Sequence, residues 1–224
     1  MKIISQGWDF VEANNGNKLL RNIEQAGRLC YKSENKITQN SAKEFVKKAI
    51  DIGHHSIIEH GAISVKIITD RGVTHELVRH RLASYSQEST RYCNYSKNKF
   101  GNEITVILPI WFKGVELKRL GDFSDSRNII ENQYIRWYNT CAKVEDGYFD
   151  LLKQGQTPQE ARSVLPNSLK TEIIMTANLR EWRHIFTLRT SPKAHPQMRA
   201  LMIDMLTTFK DVFPVLFDDI GKRT

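Results

Sequence analysis

The chain predicts a fold of the α/β class: a single domain over residues 1–224, built as an α+β mixed sheet with helices. Three observations point there. Two β-branched runs, "AISVKIITD" at 62–70 and "TEIIMTAN" at 171–178, read as strands. Around them lie stretches whose apolar residues recur at helical spacing. Strands and helices also mix without strict βαβ alternation, which argues against a regular doubly wound sheet. Size and composition agree, since 224 residues with 40% hydrophobic and 26% charged side chains suit one globular domain with a substantial core.

Taken in order, residues 2–12 read as a strand. Residues 18–31 read as a helix, with Leu19, Leu20, Ile23, Ala26 and Cys30 at helical spacing. "SAKEFVKKAIDIG" (41–53) is a short helix: Ser41 and Glu44 make a capping box, Phe45, Ala49 and Ile50 share a face, and Gly53 ends it. After the strand 62–70, "THELVRHR" (74–81) predicts a helix and 82–98 a polar loop. "EITVILP" (103–109) is a second strand. Ile129, Ile130, Tyr134, Trp137, Tyr138, Cys141 and Val144 place a long helix over 124–154. In "TPQEARSVLP", Thr157 is the cap, Pro158 sits in the first turn and Glu160 closes the box. Asn178 and Glu181 cap "LREWRHIFTLR" after the strand 171–178. A last amphipathic helix, 196–213, carries Met198, Leu201, Met202, Met205, Phe209 and Val212, a stripe suited to core or subunit packing.

The net charge of +8 favours an anionic partner without saying which. No apolar run is long enough to span a bilayer, and "MKIISQGWDF" lacks the core of a signal peptide, so a cytoplasmic location is expected, with no membrane partner. Cys30, Cys93 and Cys141 form no CxxC pair and no zinc pattern, and they read as reduced thiols in core positions.

Several motifs fail. "HELVRH" resembles a zinc-protease helix, but its chemistry needs two His four apart. Here His75 and His80 are five apart, about 140° round a helix, and position 79 is Arg; no metal is expected. The chain contains no GxGxxG, no GxxxxGK[ST] and no GxSxG.

One stretch survives. "RHRLASYSQESTRY" (79–92) packs Arg79, His80, Arg81 and Arg91 among short hydroxyl donors, with Leu82 as its large aliphatic residue. In a last helical turn, the charges of Arg79, His80 and Arg81 would suit the negative end of the helix dipole. Arg79 and Arg81 point to different faces, however, so a single capping role does not use both. Hydroxyls, loop amides and guanidinium groups together make a phosphate cradle, since Arg offers the bidentate geometry a phosphate accepts. An anion site and a solvated basic loop both remain open on composition.

The stretch resembles the signature of the flavin-dependent thymidylate synthases, RHR followed by seven residues and Ser: Arg79, His80, Arg81 and then Ser89. "HHSIIEH", "ARSVLP" and "TANLREWRHIFTLR" agree in the same order, so the resemblance spans residues 50–200. It implies a flavin-dependent thymidylate synthase-like fold and a homotetramer with sites at subunit interfaces. It implies reductive methylation of dUMP to dTMP, with FAD as cofactor, 5,10-methylenetetrahydrofolate as carbon donor and NADPH as reductant.

By the same resemblance, Ser56, Arg79, His80, Arg81, Gln87, Asn178, Leu179, Arg180 and His184 contact the flavin. Glu76, Leu77, Val78, Arg79, Gln87, Glu88, Ser89, Thr90, Arg91, Arg162 and Arg189 hold dUMP, and His54 lines the flavin and folate region. Arg189 is the expected catalytic residue. A cation at the N3/O2 edge of uracil stabilises its N3-deprotonated form, and Arg is not a base. Ser89 and Cys93 lack the fixed activating base a nucleophile needs, so Ser89 is expected to donate to dUMP. Arg162, in what reads as a first helical turn, is placed where a cation is slightly unfavourable, which favours a functional role. Tyr85, Tyr92 and Tyr95 suit ring stacking or core packing. The link "TSPKAHPQMR" is longer than the family's usual one, and His195 is not carried over. The rival reading is a basic nucleic-acid-binding protein, whose preparation would be colourless rather than yellow and would retard RNA with steep salt dependence.

Overall fold

The computed structural model describes residues 1–12, 16–115 and 129–221. Its strands are β1 (Lys2–Ile4), β2 (Gly7–Phe10), β3 (Ala62–Asp70), β4 (Ala83–Gln87), β5 (Thr105–Ile107) and β6 (Lys170–Asn178). Its helices are α1 (Gly16–Cys30), α2 (Ser41–Asp51), α3 (Arg71–Leu77), α4 (Ile129–Lys153), α5 (Pro158–Ala161), α6 (Leu179–Arg189), α7 (Pro196–Val212) and α8 (Pro214–Phe217). This is the mixed α/β class that the sequence predicts. Four strands form one sheet in the order β2-β3-β6-β4, and β1 pairs in parallel with β5 through Ile3 opposite Val106. No helix among the described residues is long and apolar enough to cross a membrane.

The chain divides into two compact units. The first comprises Met1–Gly7, Ile68–His75 and Gln87–Ile173, the second Trp8–Ile67, Glu76–Ser86 and Ile174–Thr224. Every passage between them falls inside an element: β2, β3, α3, β4 or β6. In the first unit, Ile104, Val106, Tyr148 and Leu169 form a core, with Tyr95 against it. Thr157 and Glu160 cap α5 reciprocally, as the S/T-x-x-E pattern requires.

In the second unit, Phe209 of α7 is ringed by Trp8, Phe10, Trp182, Phe186, Phe213 and Phe217 at 5.0–5.9 Å. The indole of Trp182 donates to the Ile63 carbonyl at 3.0 Å, tying α6 to β3. Gly53 ends α2 at φ 80°, a left-handed conformation that glycine adopts without a Cβ penalty. Gly27 is needed for close approach, because a Cβ there would lie 2.6 Å from the Phe45 ring.

Five local expectations change. The strand expected over 2–12 is two strands, β1 and β2, in different sheets. Ser41 opens α2 rather than capping it; its hydroxyl donates to Glu24 of α1 at 2.9 Å and accepts from the Thr38 amide at 2.8 Å. The helix over 74–81 stops at Leu77, so Arg79, His80 and Arg81 lie beyond it. The Tyr85 hydroxyl lies 2.8 Å from both the Leu77 and His80 carbonyls and shares its single proton between them, and Leu77 also accepts from the His80 amide at 3.1 Å. The polar loop over 82–98 contains strand β4. Its Ala83, Tyr85 and Gln87 are half-buried while Ser84 and Ser86 are exposed, an alternation that serines disguise in a hydropathy pattern. Arg162 is the C-cap of α5 and also opens the three-residue 3₁₀ turn Arg162–Val164, so it stands at the end of one short helix and the start of another and the dipole does not single it out. The start expected at 124 for the long helix lies outside the described residues, and α8 was not foreseen.

Candidate active site

The residues expected at the site fall into two sets, one in each unit. In the second unit the centre is Arg189, the last residue of α6. Its Nε donates to His80 Nε2 at 3.0 Å, its Nη1 to Glu76 Oε2 at 2.8 Å, and its Nη2 to the Glu76 carbonyl at 3.2 Å. The guanidinium side chain is 19% exposed. His80 is buried, and its Nδ1 lies 3.4 Å from Glu181 Oε1. Burial first, then the Arg189 and His184 charges, holds His80 down to about 4. The ring is therefore neutral near pH 7.

Glu181 sits in the first turn of α6, where the Asn178 side chain accepts from its amide at 2.8 Å. Asn178 is thus the N-cap that the sequence predicts. Burial, and then the Glu181 charge, pushes the Tyr85 hydroxyl up to about 12, so it remains a donor to the turn.

The other flavin-side residues surround this core differently. Arg79, Arg81, Ser56 and His184 are exposed, and Arg180 pairs with Glu59 at 2.6 Å. Arg180 and His184 line a cleft of about 620 Å³ together with His55, Thr187 and Ser191. Arg183, on the same cleft, is held bidentate by Asp219 at 2.7 and 2.6 Å. Leu179 and Leu77 are different: their side chains are fully buried, and the Leu179 amide donates to the Gly61 carbonyl at 2.9 Å. Neither presents a side chain to a ligand, while Val78 is exposed. His54 stacks with Tyr31 and shares a 2.8 Å hydrogen bond with its hydroxyl.

In the first unit, Gln87 Nε2 donates to Thr74 and Thr171 at 3.1 Å each. Glu88 accepts from Lys170 at 2.9 Å and from the Tyr95 hydroxyl at 3.0 Å. Ser89 closes a turn, with its hydroxyl accepting from the Arg91 amide at 3.3 Å and its carbonyl from the Cys93 amide at 2.9 Å. Buried Thr90 accepts from Arg162 at 3.2 Å, and Arg91 is exposed over the Tyr92 ring. The structure thus brings Thr90 and Arg162 together. Cys93 is pushed up, by burial first and then the Glu88 charge, which disfavours its thiolate.

His80, Glu181 and His184 place three ligating atoms within 4.8 Å of one another. A metal on His80 Nε2 would displace Arg189. On Nδ1 it would put the ring proton on Nε2, against the Arg189 Nε–H. Sequence reasoning missed Tyr85 and Glu181 as parts of this arrangement. From sequence, Tyr85 suits stacking or packing and Glu181 a helix cap, and neither pattern signals a contact with the Arg189 cluster.

The family described as "Thymidylate synthase complementing protein" matches residues 13–215. A flavin-dependent thymidylate synthase of Mycobacterium avium (strain 104) is 36% identical over 206 residues, covering 90% of this chain and 80% of the relative. The chain belongs to the flavin-dependent thymidylate synthase family. Membership makes it an enzyme. Similar family members include those of Mycolicibacterium gilvum (strain PYR-GCK), 36% identical over 88% of this chain and 78% of the relative, and of Mycobacterium tuberculosis (strain ATCC 25618 / H37Rv), 35% identical over 90% and 80%.

Proposed function

We propose that this chain converts dUMP to dTMP by reductive methylation, with FAD as cofactor, 5,10-methylenetetrahydrofolate as carbon donor and NADPH as reductant. The proposed assembly is a homotetramer with sites at subunit interfaces. The observation that carries the chemistry is the Arg189 guanidinium. Its contacts with His80 and Glu76 use three of its five N–H groups, one on each nitrogen. The remaining two, on a partly open side chain, suit the N3/O2 edge of a uracil ring. Uracil C5 is a poor nucleophile until negative charge is stabilised at that edge, and a pre-oriented cation lowers the cost of forming it.

The donor set fits a flavin dinucleotide: Arg79 and Arg81 are exposed guanidinium groups able to take a pyrophosphate, and His184 is exposed beside Arg180 on a cleft. When bound, the flavin supplies the hydride transfer. In this reading Ser89, Arg91 and Arg162 hold the dUMP phosphate and Ser89 performs no nucleophilic step. The test is a dTMP assay with dUMP, methylenetetrahydrofolate, NADPH and FAD, each omitted in turn. Arg189→Ala is expected to lower dTMP formation by about 100-fold or more while the protein stays yellow. Normal output from that variant removes the activating role.

A further inference from the structure

We infer that Glu181 is a positioning residue for the Arg189 guanidinium, acting through the proton placement on the His80 ring. The inference rests on the reading of Arg189 as the activating cation. It starts from donors and acceptors. Arginine has N–H donors and no acceptor, so the 3.0 Å contact from Arg189 Nε requires a lone pair on His80 Nε2. The neutral ring then carries its proton on Nδ1, and Nδ1 faces Glu181 Oε1 at 3.4 Å. The opposite tautomer would set Nε2–H against Nε–H and leave the carboxylate facing a lone pair. Both contacts thus select the same tautomer.

A buried carboxylate is costly unless a partner offsets its desolvation. Glu181 is 7% exposed, and the capping bond at Asn178 uses its backbone amide, not its side chain. Its place in the first turn of α6 lets the helix dipole stabilise the anion. The same helix carries Arg189 at its far end, so one rigid element holds both ends of the relay. With His80 fixed, Arg189 is gripped through all three of its nitrogens. Without the Nε contact it is held by Glu76 alone and can turn about its stem.

The test uses the holoenzyme labelled with 15N-histidine, with solid-state imidazole spectra and His80→Asn to identify the resonance. Wild type and Glu181→Gln, which keeps an acceptor, are expected to carry the proton on Nδ1. Glu181→Met is expected to shift it towards Nε2 and to lower kcat by about 10- to 100-fold, as misplacement of a catalytic group does, with Glu181→Gln restoring most of the rate. If Glu181→Met does not fold, Glu181→Asp withdraws the carboxylate by one methylene and gives the same comparison. A wild-type ring protonated on Nε2 overturns the inference. So does a variant without the acceptor that keeps both tautomer and kcat. Arg189→Ala run alongside separates the two readings. If it keeps dTMP output, the activating role falls while the tautomer spectra still decide the part played by Glu181.

Discussion

The His80 ring is held down to about 4, and this gives the site a pH signature. Unfolded, the same ring titrates near its ordinary ~6.5. Between those values the unfolded chain binds a proton that the native ring refuses. The stability His80 contributes is therefore complete above about 6.5 and lost as pH falls towards about 4. The urea-midpoint difference between wild type and His80→Asn is expected to shrink from pH 7 to pH 4; a flat difference defeats the claim. Ser89 carries a second prediction. Its hydroxyl accepts from the Arg91 amide, and among the described residues no histidine or carboxylate is hydrogen-bonded to it. Ser89→Ala is expected to retain measurable dTMP formation with weaker dUMP binding, and complete loss with dUMP still bound would restore a nucleophile.

At the scale of elements, the turn after α3 depends on β4. Tyr85 holds the Leu77 and His80 carbonyls there, the first of which also accepts from the His80 amide at 3.1 Å. Tyr85→Phe removes the donor, keeps the ring and leaves the His80 carbonyl to find water, while Leu77 keeps the His80 amide. A loss of about 1–3 kcal/mol in denaturant unfolding is expected, and, on the proposed placement of the flavin against Arg79, His80 and Arg81, lower flavin occupancy on purification. Unchanged flavin content would separate the turn from the cofactor. The caps were legible from sequence where their signal is local: Thr157 with Glu160, and Asn178 with the Glu181 amide, lie three residues apart. Ser41 carried the same local pattern and failed, because Glu24, seventeen positions upstream, recruits its hydroxyl. β4 was illegible because its alternation is written in alanine, tyrosine, glutamine and serine.

Over the whole molecule, the second unit's core is organised about Phe209, fully buried in its ring of aromatics. Phe209→Ala is expected to cost about 3–5 kcal/mol in urea unfolding, as large-to-small changes at aromatic core positions do, whereas the exposed Leu82 tolerates Ala within about 0.5 kcal/mol. Equal effects would place the core elsewhere. The strands 62–70 and 171–178, the helix before Thr190 and the Arg- and hydroxyl-rich run were all readable from residue order, because hydropathy period, capping and motif spacing act over a few residues. The grip on Arg189 was not. His80 lies 109 positions from it and Glu76 lies 113, so their partnership depends on where α6 is carried by the fold, and no local pattern encodes that distance.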